Sequence, residues 1–226
     1  MRGAGHTMKK YYLFLFIALL SLAACGEKNM DTPNVDTPNE VVPDQPDVDE
    51  ENEPVEETMD MADFFMPDGS VVEFEGEGNE FASYTQKTEW IDDQYVNIYE
   101  DNGGTTVLYT FRVAEDQVDV IRREGEMYNE DQSTAKELDE LTPLYIYLKL
   151  PLEKSARFDD WEVVDVDETL DTPYDTFKDV ITIEKDEGDL LTRLYFAKGY
   201  GEIKREIVME DATMTVTSTI KNVSKK

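Results

Sequence analysis

Hydrophobic and polar positions divide the chain into three zones. Residues 11 to 20 form an unbroken apolar run, the length of a signal-peptide core and short of the ~20 residues a spanning helix needs. From 26 to about 63 apolar positions are sparse and carry no period. From Phe64 onward aromatic and β-branched residues come in short runs separated by turn residues. Val71 to Phe74 precede Gly76 and Gly78, and the runs 81–91 and 95–99 are split by Asp92-Asp93. The run 105–113 follows Asn102-Gly103-Gly104, a hairpin signal, and 118–123 comes after Glu115-Asp116. Leu144, Ile146, Leu148 and Leu150 alternate with Tyr145, Tyr147 and Lys149 at the strand period of two. Met214, Val216, Ser218 and Ile220 alternate with threonines in the same way. Further strands are predicted over 161–169, 177–185, 190–197 and 202–209, about nine to eleven in all.

Residues 129 to 141, charged and free of Gly and Pro, predict the one helix. Short connections imply antiparallel neighbours. Residues 64–226 therefore read as one mainly β domain. Its single antiparallel sheet is strongly curved, half-barrel or barrel-like, and carries one short helix. At about 160 residues such a domain buries a core unaided.

Charge sharpens the middle zone. The formal net charge is −31, and Lys28 is the only base between Gly26 and Asp63. That stretch repeats Asp31-Thr32-Pro33-Asn34 as Asp36-Thr37-Pro38-Asn39 and holds Pro33, Pro38, Pro43, Pro46 and Pro54. It buries too little apolar surface to offset the entropy of ordering, so residues 25–63 are expected to be a disordered, acidic, Pro-rich tether. So acidic a chain repels nucleic acid and anionic headgroups.

The chain has one histidine, His6, and one cysteine, Cys25. His6 lies upstream of the apolar run and is expected to be lost with it, and a lone Cys25 taken up by lipid is spent, so a mature chain would have no Ser-His-Asp or Cys-His nucleophile, no nitrogen or sulfur zinc site and no disulfide. Neither a cofactor nor a metal is expected. Acidic loops at Glu100-Asp101-Asn102, 165–171 and Asp186-Glu187-Gly188-Asp189 offer oxygens to Ca²⁺, but none has the EF-hand spacing. A carboxylate pair of glycosidase type needs no histidine, and nothing in the sequence marks one pair among so many acids. The glycines of 76–84 and of 195–206 read as turns, the first with a polar network at a sheet end, and the aromatics around them as core.

The N-terminus is more specific. Lys9 and Lys10 precede the apolar run, which ends in Leu22-Ala23-Ala24-Cys25-Gly26. This resembles the lipobox of bacterial lipoproteins. The resemblance implies a signal peptide over 1–24, a diacylglycerol on the Cys25 sulfur and cleavage between Ala24 and Cys25. Met8 is the better start, residues 1–7 then being an upstream extension. With the thiol consumed by lipid, Cys25 is the one assigned site, and the partner it implies is a membrane, on its extracytoplasmic face.

Three stretches, 76–84, 150–161 leading to Thr172-Pro173-Tyr174-Asp175-Thr176-Phe177, and 195–206, resemble small, uncharacterised β-rich lipoproteins of Bacillus-like Firmicutes. Where this chain has Ser155 and Asp175 that group tends to glycine. The second half also resembles β-rich lipoproteins with curved, lipid-carrier-type sheets. Neither likeness brings catalytic residues.

The sequence thus points to a non-enzymatic, lipid-anchored surface protein with a binding or envelope-accessory role. A carrier of an apolar, lipid-like ligand in a curved sheet, and a carboxylate-dependent enzyme acting on envelope glycans, are the alternatives. Two acyl chains anchor stably, at ~0.8 kcal/mol per buried methylene. Cys25→Ser should therefore abolish palmitate labelling in the native host and move the protein from the membrane to the soluble fraction.

Overall fold

The computed structural model describes residues 59–209 and 214–224. All lie in the second of two compact units, Pro54–Lys226. Residues 1–58, which include the apolar run and Cys25, lie outside the described residues. A 3-10 helix, Met61–Phe64, opens the described part. Six strands follow it: β1 (Val71–Glu77), β2 (Tyr84–Trp90), β3 (Tyr95–Asp101), β4 (Thr106–Val113), β5 (Gln117–Glu124) and, after α1 (Ala135–Asp139), β6 (Tyr145–Lys149). Six more complete the fold: β7 (Arg157–Phe158), β8 (Trp161–Asp171), β9 (Thr176–Asp186), β10 (Leu190–Ala197), β11 (Gly201–Met209) and β12 (Thr215–Ser224).

The twelve strands make one antiparallel sheet in the order β6-β5-β4-β3-β2-β1-β12-β11-β10-β9-β8-β7. Hairpin neighbours pair along each half, and β1 pairs with β12 to join the halves. The sheet curls into a nearly closed barrel whose edges, β6 and β7, are consecutive in the chain. At this seam a side chain takes the place of a backbone ladder. The Ile146 N–H donates to Asp159 Oδ2 of the β7–β8 turn at 2.9 Å.

Acidic and amide residues shape the hairpins by accepting backbone N–H groups, the physical basis of the Asx turn. Asp92 Oδ1 accepts from Gln94 and Tyr95, both at 2.9 Å. Asn102 Oδ1 accepts from Gly104 and Thr105, both at 3.0 Å. Asp186 Oδ1 accepts from Gly188 at 2.8 Å. Asn102 and Asp186, both within loops considered above for Ca²⁺, thus hold turns. The loop before β2 is the polar network expected of 76–84. Gly76 N–H donates to Ser83 Oγ at 2.9 Å, and Ser218 Oγ donates to the Ala82 carbonyl at 2.7 Å. Phe81, expected to start a strand, is exposed in this loop, and β2 begins at Tyr84.

The folded part begins before Phe64. Met61 is 0% exposed, and Phe64 and Phe65 pack with it into the main core. The 3-10 helix closes the barrel end at which the β2–β3 and β10–β11 turns lie. Gly199 N–H donates to the Asp63 carbonyl at 2.6 Å, and Trp90 Nε1 donates to the Met66 carbonyl at 3.0 Å. Asp60 caps the helix by accepting from Ala62 N–H.

The helix expected over 129–141 is shorter than predicted, Ala135–Asp139. Tertiary partners explain the difference. Asp131 pairs with Arg122 at 2.5 Å and its N–H donates to Tyr99 Oη at 2.7 Å. Ser133 Oγ accepts from Arg122 at 3.0 Å. An extended strap over the outer face of β3–β5 reaches these groups, whereas a helical turn there would carry them away. Arg112 then closes the helix by donating to the Leu138 and Leu141 carbonyls at 2.8 and 3.1 Å.

Gly201 has φ +79° and an added Cβ would lie 2.5 Å from the Phe64 carbonyl oxygen, whereas Gly199 has φ +80° and open space. Gly199→Ala should cost about 1 kcal/mol through backbone strain alone. Gly201→Ala should cost about 3 kcal/mol by also displacing the helix. Urea unfolding of the two variants checks the difference.

Candidate functional site

The barrel interior is not filled. A cavity of about 240 Å³ lies between the 3-10 helix and the strands. Its walls are largely aromatic, including Phe64, Phe65, Tyr109, Phe111, Tyr145 and Tyr147. The rings support one another: Phe65 lies 5.1 Å from Phe111 and Tyr147 lies 4.9 Å from Phe111, both tilted. Tyr147 also meets Phe196 edge-on at 5.4 Å. Such pairs are favoured by the ring quadrupoles, so the walls are braced from behind.

One side of the cavity is ionic. Arg205 on β11 donates from Nε to Glu202 Oε1 at 2.9 Å and from Nη2 to Glu202 Oε2 at 3.2 Å. The same Nη2 reaches Glu100 Oε2 on β3 at 3.2 Å. Tyr84 and Tyr147 donate their hydroxyls to Glu202 at 3.3 and 3.4 Å. The guanidinium lies over the Tyr84 ring, 5.5 Å from its centroid. Side-chain exposures are 3% for Glu202, 16% for Glu100 and 26% for Arg205, and Arg205, Glu202 and Glu100 all line the cavity.

A local irregularity puts Glu202 and Arg205 on the same face. In a regular strand, residues three apart point to opposite sides. The ladder between β10 and β11 shifts at Tyr195/Phe196: Tyr195 opposes Lys204, but Phe196 opposes Glu202. Ile203 is the extra residue of a β-bulge, which re-aims the strand.

The phenols respond to this setting. Burial, and then the opposing pulls of Arg205 and Glu202, leave Tyr84 well above the ordinary phenol range. Burial and the nearby Glu202 charge do the same to Tyr147. Burial works against the Arg205 charge, but Glu202, Tyr84 and Glu100 outweigh it and hold the guanidinium protonated.

Cys25 lies outside the described residues. Of the acids considered in sequence, Glu100 alone joins this site. The carboxylates of 165–171 and 186–189 lie elsewhere, and among the described residues no group of three or more His, Cys, Asp or Glu is placed to hold a metal ion. Sequence reading placed Tyr84, Glu202 and Arg205 only within structural turns and strands. The available signal was an Arg and a Glu on a strand after two glycines, where an exposed strand would also carry charges.

No family model matches this chain, and no curated protein matches it. Two solved structures are similar in part. One is a protein of Bacteroides fragilis provisionally classed as exported and described as having a YmcC-like fold. It has a TM-score of 0.46 and 13% identity over 72% of this chain and 98% of that one. The other is a protein of Parabacteroides distasonis provisionally classed as a lipoprotein, with a TM-score of 0.46 and 10% identity over the same shares. These scores assign neither a fold family nor a function.

The Tyr84 phenol gives the site a pH signature. In the unfolded chain it ionises near its ordinary value of 10.0, and in the folded chain well above it. Its contribution to stability is therefore complete below pH 10.0 and is lost as the pH rises beyond that, because only the unfolded chain releases the proton. Urea midpoints should fall above that pH. Tyr84→Phe should reduce the slope by about 1.4 kcal/mol per pH unit.

Proposed function

We propose that this chain is a lipid-anchored extracytoplasmic binding protein, without catalysis of its own, whose barrel holds a small and largely apolar ligand. The observation that carries the reading is the aromatic-walled cavity with one ionic side. Ligand sites are concave and mostly apolar, with a few placed polar groups, and Gln86, Thr88, Thr192 and Glu100 supply these here. The anchor rests on Lys9, Lys10, the apolar run and Leu22-Ala23-Ala24-Cys25. Among the described residues no helix is long and apolar enough to cross a membrane. Attachment would then come from lipid on Cys25.

The arrangement of the carboxylates favours binding over glycosyl transfer. Glu100 and Glu202 face the cavity together, but Arg205 Nη2 lies within 3.2 Å of an oxygen on each. The guanidinium occupies the position between them that a reacting sugar or water needs.

A carrier of a lipid-like molecule is the second reading, supported by the same apolar walls. At about 240 Å³ the cavity is smaller than the range of about 300–1,000 Å³ typical of drug-sized ligands. A single ring or a short chain suits it better than a two-chain lipid.

Native mass spectrometry of protein purified from its own host tests the proposal. The wild type should carry a small additional mass. Thr192→Trp, which places an indole in the cavity, should lack it while keeping the wild-type circular dichroism. A clean apo mass for the wild type would argue against a resident ligand.

A further inference from the structure

We infer that the cavity selects a small organic cation, an amine or quaternary ammonium on an apolar body, and that Glu100 receives its charge. This rests on the cavity being a ligand site. Among the described residues Arg205 is the one cationic residue in the cavity lining, and it stands between two carboxylates. Glu202 spends both oxygens on Arg205 and also accepts from Tyr84 and Tyr147. Glu100 meets Arg205 through Oε2 alone, and its side chain lines the cavity. Glu100 is therefore the less satisfied of the two carboxylates at Arg205.

The rings supply the second half of the argument. Tyr109, Phe111, Tyr145 and Tyr147 line the cavity that Glu100 faces. Aromatic faces attract cations within about 6 Å, most strongly where water is excluded. The protein already uses this pairing at the site's margin. Arg205 sits over Tyr84, and Arg123 lies 5.5 Å from the Tyr109 ring centroid while donating to its hydroxyl at 3.2 Å. Arg123 is exposed and does not line the cavity, and its charge attracts Glu100 from outside it.

Anionic amphiphiles meet the opposite conditions. A carboxylate or phosphate entering the cavity would face Glu100, and the net charge of −31 opposes its approach. Size narrows the class further, to a body of about one ring.

Calorimetry on the mature lipidated protein in lipid nanodiscs, with empty nanodiscs as blank, tests this with three probes of similar size. These are phenethylammonium, phenethyl alcohol and phenylacetate. The ammonium should bind at least about tenfold tighter than the alcohol, and phenylacetate should not bind. In Glu100→Gln the ratio of ammonium to alcohol affinity should fall several-fold, the remainder being what the aromatic faces supply, while Glu100→Asp should retain the preference. Equal wild-type affinities for ammonium and alcohol, binding of phenylacetate, or a preference undiminished in Glu100→Gln would overturn the inference and leave the binding site standing. Binding of none of the three would overturn both. The wild-type ranking decides the charge class by itself, whatever the variants do to folding.

Discussion

The pairing of β1 with β12 is the constraint on which the rest of the structure depends. Every other ladder joins strands adjacent in the chain, so each could form as a local hairpin or meander. The β1–β12 ladder joins residues such as Val72 and Val223, and without it the chain would be two separate six-stranded meanders. The polar centre of the site exists only because of this closure. Tyr84 and Glu100 belong to the first half, and Glu202 and Arg205 to the second. Ordering so distant a pair costs loop-closure entropy that only the shared core repays. The seam between β6 and β7 shows the limit of that closure, since a carboxylate at Asp159 bridges it instead of a ladder.

Strand β3 shows how one segment serves two environments. Val96, Ile98 and Glu100 face the barrel interior, where the first two join the core and the third lines the cavity. Tyr95, Asn97 and Tyr99 face outward, yet Tyr95 and Asn97 are 2% and 0% exposed because α1 covers the first and the strap the second. Beneath them Tyr95 donates to Asp139 of α1 at 2.6 Å, Asn97 to Asp131 of the strap at 3.4 Å, and Thr110 to Asn97 at 2.7 Å. Burial on both faces removes the apolar-polar alternation expected of a surface strand. The strap also satisfies the polar atoms that burial would otherwise leave unpaired.

The ion cluster is a matter of placement more than of stability. Buried ion pairs roughly break even against apolar packing, because desolvation offsets the Coulomb attraction. What the cluster supplies is a fixed carboxylate at the edge of an apolar space. Arg205 is held by Glu202 on its own strand and leans on Tyr84. Glu100 is thereby oriented across the barrel from a guanidinium that cannot turn away without losing its other partners. A rigid, partly satisfied acid of this kind is preorganised to meet a ligand.

Much of this architecture was legible along the chain. The period of two in 144–150 and 214–220, and the turn residues at Asn102-Gly103-Gly104, marked the strands and hairpins of an antiparallel, curved sheet. These are local properties, set by which side chains alternate and which backbones can turn. The site was not local. Glu202 and Arg205 share a face only through the bulge at Ile203, a register choice made by the partner strand and not by their spacing. The strap over 129–134 left the helical pattern because Arg122, Tyr99 and Asn97 offered better partners than the next helical turn. The sequence by itself determined an antiparallel β domain, its turns and the chemical types available to it. The tertiary structure alone decided which of its many acids would face a cavity, because that depends on groups a hundred residues apart meeting across a closed sheet.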